Sequence, residues 1–191
     1  MLSVGQEIAL FLINTLFSIY ISLIMVRFLL ALLRADFYNP ISQAIVKLTN
    51  PPLVFLRRVI PPVGKFDSAA IVLMLVLQYF ELWLRTLIMG HAAPFLALII
   101  VTILELIRLN IWIFIIALIA QALLSWINPG MYHLQNPMAG ILNSLTAPIL
   151  RPIRQLLPRT GMIDFSPMLA IILLYILLII VNGMFRTLLG G

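Results

Sequence analysis

Long apolar runs alternate with short polar, proline-rich stretches along the whole chain. The first run covers about 8–33, the second 68–90, a third 95–127 and a last 166–184. Each reaches the length needed to cross a hydrocarbon core of about 30 Å. The third is the exception in length, at roughly 50 Å if it forms one helix with 1.5 Å rise per residue. A break at Gly90-His91-Ala92-Ala93-Pro94 precedes it. One span is therefore expected over 105–127, with 95–104 either extending that span or forming a re-entrant or interfacial segment. The pattern predicts an all-α, polytopic helical membrane protein with four principal transmembrane helices.

Eleven of the twelve prolines fall in the segments 34–66 and 127–167, between those spans. The two segments repeat each other. Placing Asn39 on Asn136, an offset of 97 positions, makes ten of 29 positions identical without a gap. They include Asn39/Asn136, Pro40/Pro137, Thr49/Thr146, Leu53/Leu150, Arg57/Arg154, Gly64/Gly161 and Asp67/Asp164. Shared Pro, Gly, Asn and Asp carry more weight than shared Leu, because each dictates backbone geometry. In both copies Asn then Pro reads as an N-cap followed by the first helical residue. Apolar positions follow at i, i+3, i+4 and i+7: Ile41, Ala44, Ile45 and Leu48, then Met138, Ile141, Leu142 and Leu145. That spacing gives one apolar face on a short helix at the membrane surface, set either against lipid or against the spans. A second short apolar pattern around Arg57 and Arg154, bracketed by prolines, follows. Gly64 and Gly161 then permit a tight turn ahead of Asp67 and Asp164, which are placed to cap the next span.

A weaker likeness, Arg27-Phe28-Leu29-Leu30 with Gln121-Ala122-Leu123-Leu124, precedes each loop at an offset of 94. The chain thus reads as a duplicated module of span, structured loop and span. The first repeat covers 1–90 (loop 34–67), an apolar connector 91–104, and the second repeat 105–191 (loop 128–165). Two spans return the chain to its starting side, so the repeats are parallel and both loops face one compartment. Basic residues gather in those loops, including Lys47, Arg57, Arg58, Lys65, Arg151 and Arg154. By the positive-inside rule both loops are cytoplasmic and both termini periplasmic, in a bacterial inner membrane.

Composition narrows the chemistry. The chain is 63% hydrophobic and 9% charged, where soluble domains carry about 25% charged residues. A net charge of +6 is read as loops facing anionic lipid rather than as a nucleic-acid surface, since no binding motif accompanies it. With no cysteine, disulfides, thiolate metal sites and Cys nucleophiles are excluded within the chain. His91 and His133 stand alone, without a second ligand at metal spacing. No phosphate-binding glycine loop or nucleophile elbow occurs. Neither enzyme activity, cofactor, metal nor small-molecule substrate is expected. The N-terminal run, with Glu7 and no basic stretch before it, reads as a retained span.

Ionisable and polar groups inside the spans are functional candidates by default. Glu81 and Arg85 are spaced i, i+4, and Glu105 and Arg108 i, i+3, so each pair shares a helix face. Counted from the loop side, Arg85 lies about 27 Å across, Arg108 about 28 Å and Glu105 about 33 Å. They therefore sit near the outer boundary, where mutual neutralisation accounts for them. Arg27 falls near the inner boundary, within reach of headgroups by snorkelling. Gln78 is the main polar group near the midplane, with Ser18, Ser22 and Tyr79 beside it.

The stretch Asp36-Phe37-Tyr38-Asn39-Pro40, Leu48-Thr49-Asn50-Pro51 and Leu56-Arg57-Arg58-Val59-Ile60-Pro61 resembles the YggT family. So does Pro148 through Ile153-Arg154 and Gly161 to Ile163-Asp164-Phe165-Ser166-Pro167. The resemblance covers both loops and the flanking spans. It implies a membrane protein of bacteria or plastids, linked with osmotic stress and potassium homeostasis, or in plastids with maturation of a b-type cytochrome. It supplies no catalytic residues. Two functions follow as expectations: a scaffold or assembly helper that binds other membrane proteins, or its own copies, through the two loops; or an ion channel or transport-related protein. The candidate interaction residues are Asn39, Pro40, Arg57, Arg58, Gly64, Asp67, Asn136, Pro137, Arg151, Arg154, Gly161 and Asp164. The candidate intramembrane residues are Arg27, Gln78, Glu81, Arg85, Glu105 and Arg108.

Overall fold

The computed structural model describes residues 2–36, 38–90, 93–127, 136–156 and 164–189. They form six helices: α1 (Val4–Leu32), α2 (Pro40–Val59), α3 (Ser68–Ile88), α4 (Phe95–Ile127), α5 (Pro137–Leu156) and α6 (Ser166–Leu189). Four of them, α1, α3, α4 and α6, are long and apolar enough to cross a membrane. Among the described residues there is no strand, only a bridge between Val63 and Phe66. The fold is thus all-α, with two loop helices connecting two pairs of spans.

Each start has a local cause. Ser3 opens α1 with a capping box: its hydroxyl accepts from the Gln6 amide at 3.2 Å, and Gln6 Oε1 accepts from the Ser3 amide at 2.8 Å. Gln6 Nε2 also donates to the Ile88 carbonyl at 2.9 Å. The first turn of α1 therefore meets the last turn of α3, and the two spans are antiparallel. Asn39 and Asn136 accept from the amides of Ile41 and Met138, each at 3.0 Å, with Pro40 and Pro137 opening the helices behind them. After α2, Gly64 takes φ of +61° in a two-residue turn closed by reciprocal bonds between Val63 and Phe66. A side chain there would be strained, as expected for the tight turn. Gly161, its counterpart, lies outside the described residues.

One open choice is settled and two expectations change. The stretch 95–104 is the first part of α4, so of the two alternatives it extends the span. Residues 95–127 contain neither Pro nor Gly, and nothing in them ends a helix. Each loop also forms one 20-residue helix rather than two short ones, with Pro51 and Pro52 inside α2 and Pro148 and Pro152 inside α5. Pro51, Pro148 and Pro152 lie on exposed faces. There the carbonyls left without an amide partner can reach water or headgroups, which lowers the usual cost of an interior proline. Finally, the expected apolar face is buried in α5, where Ile141, Leu142 and Leu145 are covered, while in α2 Ala44 and Leu48 stay exposed. In α2 the covered face runs through Ser42, Thr49 and Leu53.

α1 packs on α2 and α3, and α4 on α5 and α6, so each module has the same internal contacts. Ile24, Leu53 and Leu73 are buried in a core cluster that also takes in residues of α4 and α5, and Leu118, Leu150 and Ala170 occupy the matching positions in a cluster of the second module. Leu53 and Leu150 are completely buried beneath their loop helices. Either Leu→Ala change is expected to cost about 2–5 kcal/mol. Denaturation in detergent micelles checks this, and an equally large loss at exposed Val54 would contradict it.

Candidate functional site: two matching platforms on one face

Among the described residues, the repeated Thr, Arg and Asp build the same arrangement twice. In each loop helix one threonine is fully buried, Thr49 in α2 and Thr146 in α5. The Thr49 hydroxyl donates to the Ile45 carbonyl at 2.7 Å, and Thr146 to that of Leu142 at 2.8 Å. The single hydroxyl proton is then used, and the oxygen can accept from the span beneath. Arg27 Nη1 of α1 donates to Thr49 Oγ1 at 2.8 Å, with a longer approach to the Val46 carbonyl at 3.4 Å. In the second module Gln121 of α4 meets Thr146. As placed, Gln121 Oε1 faces the Thr146 hydroxyl, which has one proton and also donates to Leu142; exchanging the two amide atoms, so that Nε2 donates as Arg27 does, satisfies both contacts. Arg27 is therefore not a snorkelling residue. The loop helix lies across the end of α1 and aims the guanidinium inward, leaving it buried.

The second repeated device is an ion pair between loop helix and next span. Arg57 pairs with Asp67, and Arg154 with Asp164, the latter at 2.8 Å through Nη2 and 2.9 Å through Nε. Both aspartates also cap the span that follows, Asp67 through the amide of Ala70 and Asp164 through the amide of Ser166 at 2.9 Å. Each Asp thus ends a platform and begins a membrane helix. Partial burial pushes the Asp164 carboxyl up, but the hydroxyl and amide of Ser166 and the Arg154 guanidinium outweigh it and hold it below the usual aspartate range. Sequence reading placed the caps and missed the pairing and the threonine contacts. The signal was present in the identities Thr49/Thr146 and Arg57/Arg154, and in the offset of 94 that aligns Arg27 with Gln121.

The platforms adjoin each other. Asn39 Nδ2 donates to the Pro137 carbonyl at 2.6 Å, joining the start of α2 to the start of α5. Arg58 and Arg151 project outward, without an ion pair among the described residues, alongside exposed Lys47 and Lys65. Phe55, Val59 and Phe66 add exposed apolar surface on the α2 side.

The intramembrane candidates do not join this arrangement, Arg27 excepted. Glu81 is buried, accepts from Gln78 Nε2 at 2.6 Å and pairs with Arg85 at 3.6 Å. Glu105 pairs with Arg108 at 3.4 Å. The rings of Tyr79 and Phe95 meet edge to face at 5.8 Å, which sets the late half of α3 beside the start of α4, away from the platforms. Among the described residues no group of three or more His, Cys, Asp or Glu could hold a metal. His91 and His133 lie outside them.

Four apolar spans and two proline-containing loop helices, each assembled by the same contacts, define a polytopic helical membrane protein with a duplicated module. The chain belongs to the CCB3/YggT family, whose model matches residues 6–88 and 93–185. It is 38% identical over 179 residues to an uncharacterized protein of Pseudomonas aeruginosa, covering 92% of this chain and 89% of that one. It is 36% identical to the uncharacterized protein YggT of Escherichia coli, covering 87% and 85% of the two chains. An uncharacterized protein of Haemophilus influenzae is also 36% identical, over 97% of this chain and 95% of its own. No solved structure matches.

Asp164→Asn tests the ion pair apart from the cap, because Asn caps as well as Asp. The loss expected is up to about 1 kcal/mol, since the pair is half-exposed. A carboxyl held low contributes in full above its unfolded pKa of about 3.9 and loses that contribution as pH falls through its lower folded value. The stability difference between wild type and Asp164→Asn should therefore shrink on acidification from neutral pH to about pH 3. A difference that grows on acidification would refute the assignment.

Proposed function

We propose that this protein is a non-enzymatic scaffold or assembly helper of the bacterial inner membrane, which binds other membrane proteins through the α2 and α5 platforms on the cytoplasmic side. The observation that carries this reading is the placement of the repeated identities. They hold the platforms in place through Thr49/Thr146 and the Arg–Asp pairs. A duplication selected for conduction would instead concentrate repeated polar groups within the spans, where transport sites lie. The excess of Lys and Arg on the platforms supports the cytoplasmic orientation, with both termini periplasmic.

Arg58 and Arg151 are the residues to test, because neither takes part in the brackets that hold the platforms. Photo-reactive side chains at these positions should yield discrete adducts with other membrane proteins in living cells. Arg58→Glu with Arg151→Glu should abolish function at unchanged membrane levels. Absence of adducts from both sites, together with full function of the double variant, would sink the proposal.

A second reading has one specific observation behind it, the buried Gln78–Glu81 contact within a span. On this reading the protein conducts or regulates ions in osmotic stress and potassium homeostasis. Potassium flux into liposomes holding the purified protein, lost on Glu81→Gln, would favour it over the scaffold.

A further inference from the structure

The two modules share their internal contacts and differ in how they touch each other. α3 packs on α4, yet among the described residues α6 has no backbone contact with α1, which would be its counterpart. Likewise α1 packs on α5, while α2 has none with α4. The modules are therefore joined head to tail. A two-fold relation would have produced both members of each pair. A head-to-tail joint leaves its two halves uncovered at opposite edges of the chain, one on the first module and one on the second.

Side-chain exposure maps both halves. Gln78 and Leu82 of α3 are each 8% exposed, and α4 is the one neighbour of α3 that α6 lacks an equivalent of. Their counterparts on α6 at the offset of 97, Tyr175 and Ile179, are 53% and 58% exposed. On the other half, Leu106 of α4 and Leu145 of α5 are 8% and 3% exposed. Their counterparts, Leu12 of α1 at the offset of 94 and Leu48 of α2 at 97, are 50% and 58% exposed. Beside them the surface is concave: a groove of about 360 Å³ between α1 and α2 is lined by Ser18, Ile19, Ser22, Leu23, Val26 and Ile45. In the second module the matching Ala117 and Leu142 are buried in the core shared with the first module. The Asn39–Pro137 bond follows the same rule, because Asn136 has no such partner among the described residues.

We propose that copies of this chain associate head to tail in the membrane, with the α4/α6 edge of one copy seated in the α1/α2 groove of the next. The contact repeats the one that joins the two modules within each chain. The template names its occupant: the first module covers Ile113, Ala117, Ala120 and Leu142, the counterparts of four of the six lining residues, while Trp112 and Ile116 stay 40% and 60% exposed, and the second module of another copy is the equivalent of that first module. The arrangement is heterologous, so it grows until a ring closes. The inference stands apart from what the platforms bind. An array of copies would place several platforms side by side on one face.

The chain has no cysteine, so introduced thiols report without background. The α1–α5 contact becomes an α4–α2 contact between copies; Leu29 of α1 and Leu145 of α5 belong to one core cluster, so their counterparts, Leu123 and Leu48 of the neighbour, mark the two sides of that joint. Chains carrying Leu48→Cys and chains carrying Leu123→Cys, differently tagged, are co-expressed and treated with a short bis-maleimide in native membranes. A cross-linked product of doubled mass carrying both tags is expected. Val76→Cys, on the lipid-facing side of α3, paired with Leu123→Cys should give none. The proposal is overturned if no mixed product forms, which would leave the groove to lipid, if Val76→Cys gives as much, or if only like sites join, which would indicate a two-fold dimer.

Discussion

A chain that leaves a bilayer and re-enters it must satisfy the unpaired backbone groups at both helix ends and fix the angle between them. No water is available at depth to correct a poor fit. In this protein one aspartate meets both demands in each module. Asp67 and Asp164 accept the first amides of the re-entering span, and each also takes the arginine of the preceding loop helix. The loop helix is thereby tied to the span at its far end. At its middle, the threonine contact to Arg27 or Gln121 ties it to the outgoing span. Two fixed points on a rigid helix determine where it lies. The interior prolines, by limiting backbone alternatives, make the helix stiff enough for those points to matter.

The Arg27/Gln121 pair shows what the geometry requires and what it leaves free. A buried threonine whose proton is spent on its own helix needs a donor from outside, and both a guanidinium and a primary amide can supply one. The modules can therefore differ in charge at this position without losing the anchor. That freedom explains why the two outgoing spans resemble each other so faintly while the loops remain so alike. Identity survives where backbone geometry or a two-sided contact depends on it, as at Asn39, Thr49, Arg57, Gly64 and Asp67.

The sequence carried the spans, the helix starts at Asn-Pro, the turn at Gly64 and the caps at Asp67 and Asp164, because each rests on local rules. Contacts between elements were harder to read. Arg57 and Asp67 lie on different helices, and no local periodicity links them. The continuity of α2 across Pro51 and Pro52 depends on burial of Thr49 and Leu53 beneath it, which overrides the breaking tendency of proline. Whether the apolar face of α2 meets lipid or the spans could not be read locally, for an instructive reason. Leu48 carries the same pattern as Leu145, and whether such a face is covered depends on which helix arrives next to it.

The charged pairs away from the platforms follow a different logic. The counterparts of Glu81 and Arg85 in α6 are Leu178 and Asn182, and those of Glu105 and Arg108 in α1 are Phe11 and Asn14. None of the four charges is repeated, although the loops between them are. These four charges sit on α3 and α4, the two helices that meet where the modules join. They therefore belong to the joint between the modules, where a carboxylate on each helix is neutralised by an arginine one turn away. A property that both modules share cannot rest on groups that only the seam between them possesses. The contacts that seat the platforms, through Thr49/Thr146 and the pairs Arg57–Asp67 and Arg154–Asp164, meet that condition, and the intramembrane charges do not.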